Sequence, residues 1–124
     1  MSKEEFVELF CDLQHQIHTN ARNKGFWDKY DQVVEKFPEA EVDMDLAKYA
    51  LVASEIGEGV EGVRKPGQCD KNGLEHLSKE AEELADTVIR IMDYCEEKGI
   101  NLAQAILDKH EYNKGRPRLH GKLA

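Results

Sequence analysis

No stretch of this chain stays apolar over the roughly 20 residues that a membrane-spanning helix needs. Its first ten residues, MSKEEFVELF, put acids where a secretory signal carries a basic start and an apolar run, so a cytoplasmic protein is the expectation. Cysteine is scarce as well. Cys11, Cys69 and Cys95 are odd in number and widely spaced, which excludes both a CxxC zinc or redox motif and a disulfide framework. Cys11 and Cys95 fall in helical patterns and read as small packing residues, whereas Cys69 falls in a polar loop that leaves room for exposure. Positive charge is in deficit: 17 Lys and Arg face 25 Asp and Glu, a net charge of -8. That balance argues against a general nucleic-acid binder. Low-complexity tracts and repeats are absent too.

What remains is a chain of 124 residues, 40% hydrophobic and 34% charged, sized for one soluble helical domain over residues 1–124. Periodicity predicts a first helix from about Ser2 to Asn23, with Ser2 as its cap and Phe6, Leu9, Phe10, Leu13, Ile17 and Ala21 as its stripe. A short polar helix follows over about Asp28 to Lys36, and Phe37-Pro38 breaks it. The second long helix runs from about Val42 to Arg64, and the third from about Leu74 to Lys98. In the third, Leu77, Ala81, Leu84, Val88, Ile91 and Cys95 are expected on the core side, with Glu83, Asp86, Arg90 and Asp93 on the other face. A last helix starts after Asn101 and ends near Tyr112. The pattern is an all-α antiparallel bundle of four main helices plus a short one.

Charge is unevenly spread along that frame. Lys109, Lys114, Arg116, Arg118 and Lys122 stand against Glu111 alone, so the end of the chain carries +4 and the rest -12. Residues 113–124 read as a basic extended tail: a solvated end, a self-docking arm or an anion clamp.

Acidic residues three apart, which share a helix face, occur eight times, at 5/8, 28/31, 55/58, 58/61, 80/83, 83/86, 93/96 and 108/111. Singly, each reads as a solvated face. The pairs Glu55/Glu58 and Glu83/Asp86 differ, because they lie mid-helix on the two longest helices, whose connecting loop makes them natural antiparallel neighbours. Four carboxylates converging there repel one another unless a cation sits among them, and hard oxygen donors suit Mg²⁺ or Mn²⁺. At about 100° per residue, Leu51, Glu55, Glu58 and Gly62 cluster roughly opposite the stripe of Leu46, Tyr49, Ala50, Ala53, Ile56, Gly57, Val60 and Val63. Gly57, Gly59 and Gly62 each weaken a helix by about 1 kcal/mol. Tight helix packing or room for a ligand would offset that. Lys48 and Arg90, one or two turns from the acids, are placed to reach a polyphosphate; for Arg90 a salt bridge to Asp86 or Asp93 fits as well.

Glu55-x-x-Glu58 followed by Glu83-x-x-Asp86 resembles the ExxE…ExxD signature of the MazG-like nucleotide pyrophosphohydrolases, in the all-α NTP pyrophosphatase superfamily. The likeness continues in Ala21-Arg-Asn-Lys-Gly-Phe-Trp27, in Ser54-Glu-Ile-Gly-Glu58, in the segment from Glu83 to Asp93, and in Glu111-Tyr-Asn-Lys-Gly-Arg-Pro-Arg-Leu-His-Gly121. The resemblance implies a bundle completed by oligomerisation, a homodimer or homotetramer. It also implies Mg²⁺-dependent hydrolysis of a nucleoside triphosphate to monophosphate and pyrophosphate. Carried over, Glu55, Glu58, Glu83 and Asp86 become metal ligands, and Asn113, Lys114 and Arg116 contact the nucleotide, across a subunit interface in one version. Lys24 to Trp27 would border the base or sugar. The segment from Gly67 to Ser78 matches no motif.

The chemistry such a site performs needs phosphoryl charge neutralised and a water placed in line. Glu58 or Glu83 is the candidate proton acceptor, and Lys48, Arg90, Lys109, Lys114, Arg116 and Arg118 are candidates for the developing charge. Trp27 either stacks on a base or anchors the packing; His18 either lines a base pocket or lies at a surface. A di-iron carboxylate bundle requires two Glu-x-x-His pairs, and the chain offers only Asp12-x-x-His15. A non-catalytic nucleotide sensor or a helical protein-interaction module is the alternative reading.

Overall fold

Helix α1 (Lys3–Asn23) begins on the hydroxyl of Ser2, which accepts the Glu5 N–H at 3.1 Å and satisfies a donor that the first turn leaves free. It closes with Gly25 at φ +85°. There Phe26 N–H reaches the Ala21 carbonyl and Gly25 N–H the Arg22 carbonyl, a paired closure that needs a left-handed residue between helix and turn. In the structure, a computed structural model that describes residues 1–122, α2 (Asp28–Lys36) follows at once. A single 3₁₀ turn, Pro38–Ala40, leads into α3 (Glu41–Arg64). Helices α4 (Lys79–Glu97) and α5 (Leu102–Lys114) and a second 3₁₀ turn, Arg118–Gly121, complete the chain. The described residues form an all-helical bundle without a strand, and no helix among them is long and apolar enough to cross a membrane.

Helices α3 and α4 run antiparallel and share the largest contact, and α1 packs along α4 beside α3. Tyr49 meets Tyr94 with ring centroids 5.2 Å apart, and Lys98 binds Asp45 at 2.9 Å. At the other end Gly62 is buried against the start of α4, where a Cβ would come within 3.1 Å of the Glu80 backbone. Packing is therefore what this glycine serves. Gly57 has nothing within 4 Å.

Four features differ from the sequence reading. Helix α4 starts five residues later than Leu74, because Ser78 takes the capping position and accepts the Ala81 N–H at 3.0 Å. Residues before it fold back instead, with Cys69 N–H bonded to the Leu77 carbonyl and Lys79 N–H to the Gly67 carbonyl. Cys69 is buried, its thiol donating to Glu82 at 3.1 Å, so it pins the loop to α4. The final helix continues to Lys114, and the 3₁₀ turn replaces an extended tail over part of its length. Lastly, the face of α4 expected in the core is partly outside: Leu84 is 56% and Val88 48% exposed. The side that bears Glu83, Asp86, Arg90 and Asp93 is the more enclosed one.

Helix α3 carries the same inversion. Asp45, Lys48, Val52, Glu55, Gly59 and Gly62, spaced alternately three and four apart, are its half-buried or buried line. Val42, Leu46, Tyr49, Ala53, Ile56, Val60 and Val63 have the same spacing and are all exposed. The core proper is small, centred on Trp27, Tyr30, Met92, Cys95 and Ala103.

Candidate metal and nucleotide site

Antiparallel packing at this register places the middle of α3 beside the first half of α4. Glu55, Glu58 and Glu83 each offer a carboxylate oxygen, and those oxygens all lie within 4.8 Å of one another. Glu55 is buried, Glu83 half-buried and Glu58 exposed. Three carboxylates so close cannot all ionise cheaply in a partly dry site. The Glu83 carboxyl is accordingly pushed up from 4.5 to about 7, by burial first and then by Glu55 and Glu58. One of its oxygens, Oε2, is buried with no hydrogen-bond partner. Buried oxygens are normally paired, and an unpaired one among hard oxygen donors could serve as a ligand for a cation.

Asp86 is not part of that trio. It lines the neighbouring cavity with Glu55, and its pKa is raised by burial and by Glu55 and Glu82. Arg90 pairs with neither Asp86 nor Asp93. Its Nε donates to Glu55 Oε1 at 2.8 Å, across the α3–α4 contact, because antiparallel packing brings the two together more directly than one turn of helix does.

The cavity beside the carboxylates encloses about 470 Å³, within the range of small-ligand pockets. Leu13, Gln16, Ile17, Asn20 and Ala21 form its α1 wall; Phe26, Leu51 and Ile89 add apolar surface; Lys48, Arg90 and Asp93 add charge. No family model, curated protein or solved structure matches the chain.

Trp27 is wholly buried. Its indole N–H donates to both oxygens of Asp93 at 3.0 Å, Tyr30 packs against it edge-on, and Lys48 Nζ lies 4.0 Å from its ring centroid. With Lys48 over that ring, the geometry gives Trp27 the anchoring role instead of a base-stacking one. Lys48 also donates to the Phe26 carbonyl at 2.7 Å, and burial lowers its pKa, with Asp93 opposing. His18 lies behind the cavity wall, its Nδ1 2.6 Å from Asp93 and its Nε2 accepting from Arg22.

The tail residues lie elsewhere in the chain. Asn101 sits against Cys11, and α5 runs from there towards the start of α1, where a cleft between the two helices includes Lys3 and Glu111. Lys109 therefore lies beside the first turns of α1, and Asn113, Lys114 and Arg116 at its start or beyond, all towards the end of α1 away from the cavity. Lys114 pairs with Glu111 at 3.2 Å, and Lys109 and Arg116 flank the Tyr112 ring. None of the four lines the cavity of its own chain.

Sequence reasoning missed Gln16 and Asn20. Their signal was present: two amides four residues apart, flanking Ile17 and Ala21 on one helical face.

Proposed function

We propose that the chain is a Mg²⁺- or Mn²⁺-dependent nucleoside triphosphate pyrophosphohydrolase of the MazG-like kind, cleaving a triphosphate to monophosphate and pyrophosphate. One observation carries the reading: three glutamate carboxylates meet at one point, an unpartnered buried oxygen of Glu83 among them, at the edge of a cavity large enough for a nucleoside. A purely structural cluster would be expected to pair these acids with cations, and among the described residues only Glu55 has one, Arg90.

Glu55, Glu58 and Glu83 would hold the divalent ion, with Asp86 adjoining. Bound there, it supplies charge neutralisation to the phosphoryl oxygens. The chain's own residues do the rest. Hydrolysis joins a water oxygen to phosphorus, breaks the bond to the bridging oxygen, and releases one proton; Glu58 and Glu83 are the carboxylates placed to accept it. Arg90 uses Nε on Glu55, which leaves its other guanidinium N–H groups for a phosphate beside the cavity. The apolar walls exclude water from the nucleoside side.

The homodimer or homotetramer is part of the same reading. The outward line of α3, from Val42 to Val63, repeats at coiled-coil spacing and would be covered by a second copy. Lys109, Asn113, Lys114 and Arg116, remote from their own cavity, would then serve the site of a partner.

Product analysis tests the bond that breaks. With Mg²⁺ and a panel of ribo- and deoxyribonucleoside triphosphates, monophosphate and pyrophosphate should appear in equal amounts. Diphosphate with orthophosphate would overturn the assignment, as would an inert panel.

A further inference from the structure

The cavity has two chemically different ends. Helices α1 and α3 both run antiparallel to α4: Gln14 meets Glu96 and His18 meets Asp93, while Asp45 meets Lys98 and Glu55 meets Arg90. Along α4 the order is therefore the carboxylates near Glu83 and Asp86, then Arg90, then Asp93 and Tyr94. Lys48 precedes Glu55 by seven residues, about 10 Å along α3, and so stands at the Asp93–Tyr94 end. Gln16, which precedes His18 on α1 by half a turn, stands at that end too. Asn20 lies one turn nearer the carboxylates, level with Arg90.

Lys48 is thus misplaced for a polyphosphate held by the glutamates. Its ammonium is immobilised by the Phe26 carbonyl and by the Trp27 ring beneath it, and an ammonium has three donors and no acceptor. What it can bind in the cavity must offer an acceptor. Asp93, the acid at this end, is already engaged by Trp27 and His18. Gln16 carries an amide that both donates and accepts, so it fits a ring N–H or ring nitrogen beside that acceptor.

Building on the hydrolase reading, we propose that Lys48 and Gln16 read the edge of the nucleobase and select one that carries a carbonyl oxygen, with Asn20 reading the sugar. Uracil, thymine, cytosine and guanine each present such an oxygen. Adenine has only ring-nitrogen acceptors, and its one exocyclic edge group is an amino donor, which meets the Lys48 ammonium with like polarity where the other bases place an oxygen.

The experiment measures binding of the α,β-imido analogues of UTP, CTP, GTP and ATP in Mg²⁺, by calorimetry and by emission of Trp27, the single tryptophan. The three carbonyl-bearing analogues should each bind about tenfold or more tightly than the adenine analogue. Lys48→Met, which keeps an apolar cover over Trp27, should shrink that gap to less than about threefold, and the exposed Gln16→Ala should narrow it. Equal or tighter binding of the adenine analogue, an undiminished gap in Lys48→Met, or no binding of any analogue overturns the inference. Base-ordered binding without turnover of the true triphosphates would instead sink the hydrolase reading alone, and turnover blind to the base would sink the inference alone.

Discussion

Glu83 is the residue on which charge, burial and ligand chemistry meet. Its carboxyl titrates near 7 in the fold against 4.5 when free, so the folded state holds a proton that the unfolded state gives up earlier. Linkage then fixes the sign: between those two values the folded state binds more protons, and stability falls as pH rises. Without divalent ions, the melting temperature should be highest below about pH 4.5 as far as this group decides it, and should fall as pH climbs to about 7. Asp86, also raised, acts in the same direction. Saturating Mg²⁺ should flatten the slope and raise the melting temperature, because the cation replaces the proton. At pH 6 its binding should release up to about one proton, read by calorimetry in two buffers of different ionisation heat. A melting temperature that climbs over this interval, or binding without proton release, would show that the carboxylates do not share a cation. The shared face of Glu55 and Glu58 was legible from the sequence because an i, i+3 spacing needs only helix geometry, whereas the approach of Glu83 without Asp86 depends on how α3 and α4 pack. The Arg90–Glu55 pair and the cover of Lys48 over Trp27 were not legible either, since both depend on the register between separate helices.

Helix α3 shows why element-level reading has limits. It carries two lines of residues at the same three-and-four spacing, one apolar and one mostly polar or small. A rule that sends apolar residues inward picks the wrong line. The inward line is Asp45, Lys48, Val52, Glu55, Gly59 and Gly62, and its glycines let α4 approach. Gly62→Ala should therefore destabilise by about 1–3 kcal/mol, because its Cβ would come within 3.1 Å of the Glu80 backbone and push the start of α4 outward. Gly57→Ala, with open space around it, should be neutral or stabilising by up to about 1 kcal/mol. Urea denaturation of both variants checks the pair, and an equal effect at the two positions would contradict the close approach. Helix ends were read more reliably where caps are explicit. Ser2 and Asn101 start their helices as expected. Ser78 was overlooked because Leu74 and Leu77 already sat at helical spacing, yet the Leu74 N–H donates to the Lys71 carbonyl and the Leu77 carbonyl accepts from Cys69 N–H instead.

At the scale of the whole molecule the excess of exposed apolar surface and the stranded basic tail raise the same question. Leu46 is 60% exposed, Ile56 53% and Val60 51%, and a continuous apolar line of this kind is uncommon on a chain that acts alone. Lys114 and Arg116 lie far from their own carboxylates, so a tail that contributes to hydrolysis must act on another copy. A mixing experiment separates the two arrangements. Glu58→Gln should inactivate a chain by removing a carboxylate, and Lys114→Ala/Arg116→Ala should inactivate it by removing the tail cations. Mixed in equal amounts after dissociation and reassembly, half of the dimers would hold one chain of each kind. In such a dimer one site combines intact carboxylates with an intact tail from the partner, while the other has neither. Activity should return to about a quarter of the wild-type level, as random pairing across a two-fold interface requires. A tail acting within its own chain would leave every site defective and the mixture inert. Replacing Ile56 and Val60 with Glu in both parents should abolish the recovery, because in the proposed dimer the apolar line of α3 would hold the two defects within one assembly.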